Sequence, residues 1–170
     1  MKELKEKDYY EDKEFYNIVK DIINNEEFLK LKEIKHHGIN RYNHCVRVSY
    51  YTYKVAKILG FNYYEATRGA ILHDFFLDET KNDTSYKALS KHPEYALKNA
   101  LRNFALTNRE KDIIKSHMFP VNLALPRYKE SWLVDLVDDL CSFYERFYST
   151  RELANKFALF LIVFCIAKLR

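Results

Sequence analysis

Six side chains that can bind a metal ion are distributed along the chain: His44, His73, Asp74, His92, His117 and Asp138. Imidazoles and carboxylates in one set suit iron, manganese, cobalt, nickel or zinc better than magnesium alone. The intervals between these residues are long, so neither a zinc finger nor a short metal-binding loop explains them. Any metal site must therefore be assembled by the fold, from side chains at or near the ends of several helices.

The adjacent pair His73 and Asp74 follows an apolar stretch, Ala70 to Leu72. A buried carboxylate at such a place costs free energy unless something neutralises it. A divalent cation would do so, and the pair therefore predicts a metal site where this helix ends.

Each of the other four residues also has a purely structural interpretation. His44 could be a hydrogen-bonded residue of the core or surface, and His92 could cap a helix. His117 could interact with the negative end of a helix. Asp138, or its neighbour Asp139, could be a surface charge. The prediction therefore depends on all six residues occurring together.

The composition predicts one soluble, all-α domain. The chain has 170 residues, of which 48% are hydrophobic and 31% charged, as in globular proteins. Glycine and proline number three each, and so few helix breakers favour long helices with few tight turns.

Apolar periodicity and capping residues predict about six to eight helices. Asn62 with Glu65, and Thr107 with Glu110, have the spacing of N-terminal capping pairs. Pro93 suits the first position of a helix. We expect helices over residues 12–35 (one or two, divided from the next by Gly38), 42–59, 62–74, 93–104, 107–117, 130–148 and 149–170.

In the helix over 130–148, four residues, Leu133, Leu136, Val137 and Leu140, define the predicted apolar face. Asp138 lies at the edge of this face, which agrees in part with Asp138 as the ligand but leaves Asp139 open.

The net charge and the cysteine content indicate which substrates, partners and cellular location to expect. A net charge of +4 with a pI of about 8.8 suits an anionic small substrate. No compact stripe of lysine and arginine stands out, so we expect no nucleic-acid partner. Three cysteines without a C-x-x-C pair favour reduced thiols in the cytoplasm. Because the N-terminal residues are charged and lack an apolar stretch, we do not expect them to act as a secretory signal.

The segment Phe157 to Ala167 is apolar without interruption and is bounded by lysines. It is about half the length that a membrane span needs, roughly 20 residues. We expect a core or packing helix, with a homodimer interface or a membrane-surface contact as alternatives.

Five stretches together resemble the HD-domain metal-dependent phosphohydrolases, and the resemblance covers about residues 41–145. Gly69 to Asp74 is similar to the signature A-x-L-H-D, and His92 to Ala96 to the H-P-x-x-(G)-A element of members that bind two metals. Arg41 to Val48 is similar to the helix that carries the first ligand of the family. Ile114 to His117 is similar to the helix of the fifth ligand, and Leu136 to Asp138 to the segment of the last ligand.

The resemblance implies a single HD-type helical bundle over 1–170, with N-terminal helices in 1–40, a metal-binding core in 41–148 and an apolar C-terminal helix in 149–170. It also implies two divalent ions bridged by Asp74. The other ligands would be His44, His73 and Asp138 for the first ion and His92 and His117 for the second.

The implied reaction is attack by a metal-activated hydroxide on phosphorus, with His73 and Asp74 as catalytic residues. The expected substrate is a phosphoester or phosphoanhydride of a nucleotide or a similar small phosphorylated metabolite. Two alternatives are a non-catalytic module that binds metal or nucleotide for regulation, and oxygen chemistry at a di-iron centre.

Basic residues outside the ligand set are expected to bind substrate phosphate, and Arg41, Lys87, Arg127 and Lys129 are the candidates, each of which could also be an ordinary surface cation. The chain departs from several HD hydrolases, including those that split diadenosine tetraphosphate symmetrically, at Leu77, where those enzymes place a lysine or arginine.

Phe75 and Phe76, between the His-Asp pair and Leu77, either line a wall on which a base or ring stacks or pack in the core.

Overall fold

The computed structural model describes residues 9–36, 38–77 and 86–147. Its helical elements confirm the predicted all-α class, and the helix predicted over 149–170 lies outside the described residues. The elements are α1 (Lys13–Ile23), α2 (Glu26–Leu29), a 3-10 helix (Lys30–Glu33), β1 (Lys35–His36), β2 (Ile39–Asn40), α3 (Arg41–Ile58), α4 (Tyr63–Leu72), α5 (Tyr86–Asn103), α6 (Asn108–Ser116) and α7, helical over 129–147.

Side-chain caps start most of these helices, as their sequences predict. The side chain of Asn62 accepts a hydrogen bond from the backbone N–H of Glu65 at the start of α4. Thr107 and Glu110 form a complete capping box at the start of α6. These caps matter for function because each helix carries a histidine at its other end.

A short hairpin, which the sequence did not predict, precedes α3. β1 and β2 pair in antiparallel fashion, with Lys35 opposite Asn40 and His36 opposite Ile39. Gly38 has a φ of 92°, a conformation that only glycine adopts readily. Asn40 then caps α3 by accepting a hydrogen bond from Asn43, so the hairpin leads directly into the helix that carries His44.

The prediction that a helix starts at Pro93 is wrong, because α5 begins at Tyr86 and contains Pro93 in its interior. An internal proline removes one intrahelical hydrogen bond. The helix continues through it because Ala96 and Ala100 on its inner face are fully buried in the core.

The predicted apolar face of α7 is also wrong in part. Leu136 and Leu140 are 57% and 60% exposed, whereas Val134, Val137 and Cys141 are buried together with Leu133. The buried face is therefore rotated toward Asp138, which lies within that face instead of at its edge. Among the described residues, no helix is long and apolar enough to cross a membrane.

Two apolar clusters form the core. One joins α1 and α2 to the inner faces of α3, α4 and α5, and the other joins α3 and α4 to α6 and α7. Helices α3 and α4 contribute to both clusters. This arrangement holds α3 and α4 at the centre of the bundle, so that every helix bearing a predicted ligand packs against at least one of them.

Helices α4 and α6 approach each other closely at Gly69 and Ile113. A Cβ atom added to Gly69 would lie 2.7 to 2.9 Å from the side-chain atoms of Ile113. Gly69 precedes His73 by one helical turn, and Ile113 precedes His117 by one turn. The close approach therefore sets how near these two histidines come to each other, and their ring centroids are 4.9 Å apart.

Candidate metal centre

The fold brings all six predicted ligands together. Three groups of residues each place their potential ligand atoms within 4.8 Å of one another. The groups share members, and His73, Asp74 and His117 each belong to two of them. They are His44 with His73 and Asp74, His73 with His117 and Asp138, and Asp74 with His92 and His117.

Five helices supply these side chains. His44 lies in the first turns of α3, His92 in α5 and Asp138 in α7, while His73 and His117 are the C-cap residues of α4 and α6. All six residues, Asp74 included, are buried, with exposed fractions of 0 to 8%. Ionisable groups are rarely buried to this degree unless they are paired or bind a metal.

Asp138 lies between two histidines. Its Oδ1 atom is 2.9 Å from Nε2 of His44 and 3.6 Å from Nε2 of His73. Burial opposes ionisation of this carboxyl, but the neighbouring His73 and the hydrogen bond from His44 hold the pKa of Asp138 well below its usual value. A carboxylate is therefore present at neutral pH to face a cation.

Asp74 has the corresponding position between two other histidines. Its Oδ1 atom is 3.2 Å from Nε2 of His92 and 3.5 Å from Nε2 of His117. Burial opposes its ionisation, yet the positive charges of His92 and His73 and the close approach of His117 hold the pKa of Asp74 well below its usual value. Asp74 is thus an anionic group facing imidazoles of both sides of the cluster.

His73 and His117 are each oriented by a hydrogen bond to the backbone carbonyl three residues earlier in the chain. Nδ1 of His73 is 2.7 Å from the carbonyl oxygen of Ala70, and Nδ1 of His117 is 2.8 Å from that of Ile114. A carbonyl oxygen only accepts, so Nδ1 carries the proton in both rings and Nε2 faces the cluster. In His73 this Nε2 atom is buried without a hydrogen-bond partner among the described residues.

The donor set fits divalent transition metals. Four imidazoles and two carboxylates converge, and two of the imidazoles are held with Nε2 directed inward. A buried nitrogen with a lone pair and no hydrogen bond gains most from a cation, because its desolvation is otherwise uncompensated. Imidazole and carboxylate together suit iron, manganese, cobalt, nickel or zinc.

Protonation of the histidines differs across the cluster. Burial disfavours the cation at His44, but hydrogen bonds to Asp138 and Glu145 raise its pKa to about 10. The pKa of His73 is also raised against the effect of burial, by the charges of Asp138 and Asp74. Burial lowers the pKa of His117, so this ring is neutral and ready to act as a ligand.

Arg41 is the candidate phosphate-binding residue that the fold places beside the ligands. Its guanidinium lies 3.6 Å above the centroid of the Phe76 ring, and that ring stacks on His92 at 5.0 Å. Its Nε atom is 3.9 Å from Oδ2 of Asp74. Leu77 is half-buried and packs against the core. The positive charge next to Asp74 thus comes from α3.

The other three candidate cations are not brought to the ligands by any described contact. Lys129 lies over the ring of Phe61, 4.3 Å from its centroid, beyond the far end of α3 from His44. Arg127 lines a groove of about 740 Å³ together with Lys111 and Lys115. The side chain of Lys87 lies outside the described residues.

Three residues that are adjacent in sequence to predicted ligands have the environments of ordinary core or surface residues. Phe75 is 1% exposed and packs against Phe28 and Phe104, as its core interpretation predicts. Cys45 is fully buried in the same cluster. Asp139 is exposed, in contrast to Asp138.

Glu145 was not identified from the sequence as a residue of the site. Its carboxylate is 2% exposed and contacts Nδ1 of His44 at 2.9 Å and a guanidinium nitrogen of Arg47 at 2.8 Å. The available signal was its spacing of seven residues from Asp138, which places both on one face of a helix. Arg47, three residues after His44, shares a face with that histidine in the same way.

Comparison with known proteins agrees with the geometry. A family model described as HD domain matches residues 41–142, which include all six side chains of the cluster. No curated protein and no solved structure shows a significant match to the chain.

Proposed function

Because the chain belongs to the HD-domain family, we propose that it is a metal-dependent phosphohydrolase acting on a nucleotide or a similar small phosphorylated metabolite. The family match supports the reaction class. The observation that carries the proposal for this chain is that Asp74, unlike Asp138, is a carboxylate shared by two of the ligand groups among the described residues, one with His44 and His73 and one with His92 and His117. A carboxylate shared in this way could hold two adjacent cations of the kind used in two-metal hydrolysis.

We assign His44, His73, Asp74 and Asp138 to a first divalent ion and Asp74, His92 and His117 to a second. When bound, such ions neutralise phosphate charge and lower the pKa of water enough to supply a nucleophile near neutral pH. His73 and Asp74 would be the residues on which activity depends most, since both lie at the centre of the cluster.

The chain's own residues would prepare the site in three ways. Backbone carbonyls hold the Nδ1 protons of His73 and His117, so both rings present Nε2 inward. Burial of the ligands excludes bulk water and strengthens their interaction with cations. The carboxylates of Asp74 and Asp138 remain ionised because imidazoles surround them.

Arg41 would position the phosphate. Its guanidinium is held by a 2.7 Å hydrogen bond from a terminal nitrogen to the carbonyl oxygen of Phe76, and its Nε atom has no hydrogen-bond partner among the described residues. An arginine offers five donors, so donors remain for a phosphate oxygen. We therefore propose that Arg41 supplies the cation that several HD hydrolases place at the position of Leu77.

A second candidate function is a regulatory module that binds metal and nucleotide without catalysis. The specific observation in its favour is the apolar packing of Leu77, since the lysine or arginine found in several catalytic relatives is absent from that position. Metal binding is common to both candidates, and only turnover separates them.

Phosphate release from a panel of nucleotides, phosphomonoesters and phosphodiesters, measured with added manganese, tests the proposal. We expect turnover of at least one substrate, with His73→Ala and Asp74→Ala each abolishing it while circular dichroism still shows a folded chain. Metal binding with no turnover across the panel would favour the regulatory module instead.

Two further properties stay predictions. The cytoplasmic location rests on cysteine usage, and the two described cysteines, Cys45 and Cys141, are free and buried. A homodimer is favoured by large apolar side chains exposed on α7, among them Leu136, Leu140 and Phe143. Light scattering of the purified chain would measure the oligomeric state.

A further inference from the structure

Glu145 is a buried carboxylate outside the six-ligand cluster. It lies on α7, two helical turns after Asp138, and its side chain is fully buried. A buried carboxylate requires partners, and here both oxygens have one. Oε2 lies 2.9 Å from Nδ1 of His44, and Oε1 accepts a 2.8 Å hydrogen bond from Arg47.

We propose that Glu145 is a positioning residue that prepares His44 to bind a metal ion, an inference that rests on the proposed function of the site. By accepting the Nδ1 proton of His44, Glu145 leaves Nε2, on the side of Asp138, as the nitrogen that gives up its proton to a metal ion. Both carboxylate oxygens of Glu145 are engaged, so its role is to orient a ligand and not to be one.

The need for such a residue follows from the position of His44 in its helix. His73 and His117 stand at helix ends, where the carbonyl oxygen three residues earlier accepts Nδ1–H. His44 lies inside α3, where backbone carbonyls already accept intrahelical hydrogen bonds. An acceptor from another helix must replace the carbonyl, and α7 provides it.

A carboxylate does more here than a carbonyl would. Its negative charge makes the imidazole a stronger ligand, as carboxylates behind metal-bound histidines do generally. Arg47 lies three residues after His44 on α3 and fixes the carboxylate from the other side. Its Nε atom also donates to the hydroxyl of Tyr9 at 3.4 Å. A series of hydrogen bonds therefore runs from Tyr9 through Arg47 and Glu145 to His44, which is one of the six predicted metal ligands.

The competing explanation is that Glu145 and Arg47 only fasten α7 to α3. The chain contains a matched control for this possibility. Glu130 is on the same helix, is 1% exposed and pairs with Arg109 at 3.2 Å, but its described contacts include no histidine. Glu130→Gln and Glu145→Gln therefore remove the same charge from equally buried positions of α7.

The test measures cobalt and manganese binding by calorimetry and the visible spectrum of the cobalt-loaded protein, with thermal unfolding of chelator-treated protein as a check on folding. We expect Glu145→Gln to weaken binding of one ion roughly 10- to 100-fold and to shift the cobalt spectrum. Glu130→Gln should lower only the unfolding temperature.

Binding and spectrum equal to those of the unchanged protein in Glu145→Gln, or equal losses in both variants, would overturn the inference. If Glu145→Gln does not fold, Glu145→Gln with Arg47→Gln removes both buried charges and is tested in the same way. Because binding is measured without turnover, a wild-type chain that binds two ions but hydrolyses nothing would refute the hydrolase proposal and still leave the role of Glu145 open to this test.

Discussion

The Nε2 atoms of His92 and His117 lie 2.8 Å apart, and both face Oδ1 of Asp74. His92 comes from the middle of α5, whereas His117 closes α6. Two ring nitrogens and a carboxylate oxygen at these distances form one half of the cluster. The other half, with His44, His73 and Asp138, shares Asp74 with it, and His117 also lies in one group with His73 and Asp138.

The two halves predict separable metal sites. His92→Gln and His117→Gln should each reduce the metal content from two ions per chain to one, because His44, His73, Asp74 and Asp138 remain. Asp74→Asn should lower the occupancy of both sites, since this carboxylate belongs to both groups. Elemental analysis of folded variants checks this, and unchanged content in Asp74→Asn would contradict the assignment of Asp74 as a bridge.

A pH dependence follows from His44. Its pKa of about 10 in the folded chain lies above the ordinary value of 6.5, so its protonation stabilises the metal-free fold fully below pH 6.5. This contribution is lost as the pH rises through 10. A metal ion must displace the Nε2 proton, so metal affinity should increase over the same range.

Calorimetric titrations at pH 6, 7 and 8 in two buffers of different ionisation enthalpy would count the protons released on metal binding. Proton release with affinity rising toward pH 8 is expected. Affinity that falls as pH rises, with no proton released, would show that His44 is not displaced by a metal.

Packing between α4 and α6 predicts a stability effect that reaches the metal centre. Gly69→Ala places a methyl group within 2.9 Å of Ile113, and overpacking of this kind costs about 1–3 kcal/mol of unfolding free energy. It should also weaken metal binding, because α4 and α6 end at His73 and His117. Denaturant unfolding and calorimetry measure the two effects.

Gly60→Ala is the matched control. Gly60 has a φ of 65° and no atom within 4 Å of an added Cβ, so alanine there is strained without displacing a helix. It should lower stability but leave metal affinity unchanged. If Gly69→Ala binds metal as tightly as the unchanged chain, helix spacing does not set the geometry of the cluster.

Arg41 should affect the use of substrate more than metal binding. Arg41→Gln removes a charged donor beside Asp74, and hydrogen bonds to charged groups contribute roughly 1.5–3 kcal/mol, which is about 10- to 150-fold in kcat/KM. Steady-state kinetics on the substrate found in the panel measures this, with calorimetry to show that both ions still bind. Unchanged kcat/KM would remove Arg41 from the phosphate site.

The sequence located His73 and His117 well because these two residues end helices whose starts are marked by capping residues, whereas His44, His92 and Asp138 lie inside their helices. The apolar stretch before His73 and the capping box that opens the helix before His117 both locate a ligand by local rules. The family pattern then relates residues that are far apart in the chain, which local rules do not do.

Features that depend on tertiary packing were missed or mistaken. A glutamate such as Glu145 on a mixed helix is usually a surface residue, and only the packing of α7 on α3 brings it to His44. The same packing decides that Val134 is buried and Leu136 exposed, although both are apolar. Pro93 was misplaced because burial of the α5 face overrides the local preference of proline.

The most direct test of the metal centre is titration of chelator-treated, unmodified protein with manganese in a calorimeter. The convergence of six buried ligands in overlapping groups predicts two ions bound per chain. No binding at millimolar manganese, cobalt or zinc by a chain that is folded by circular dichroism would contradict it.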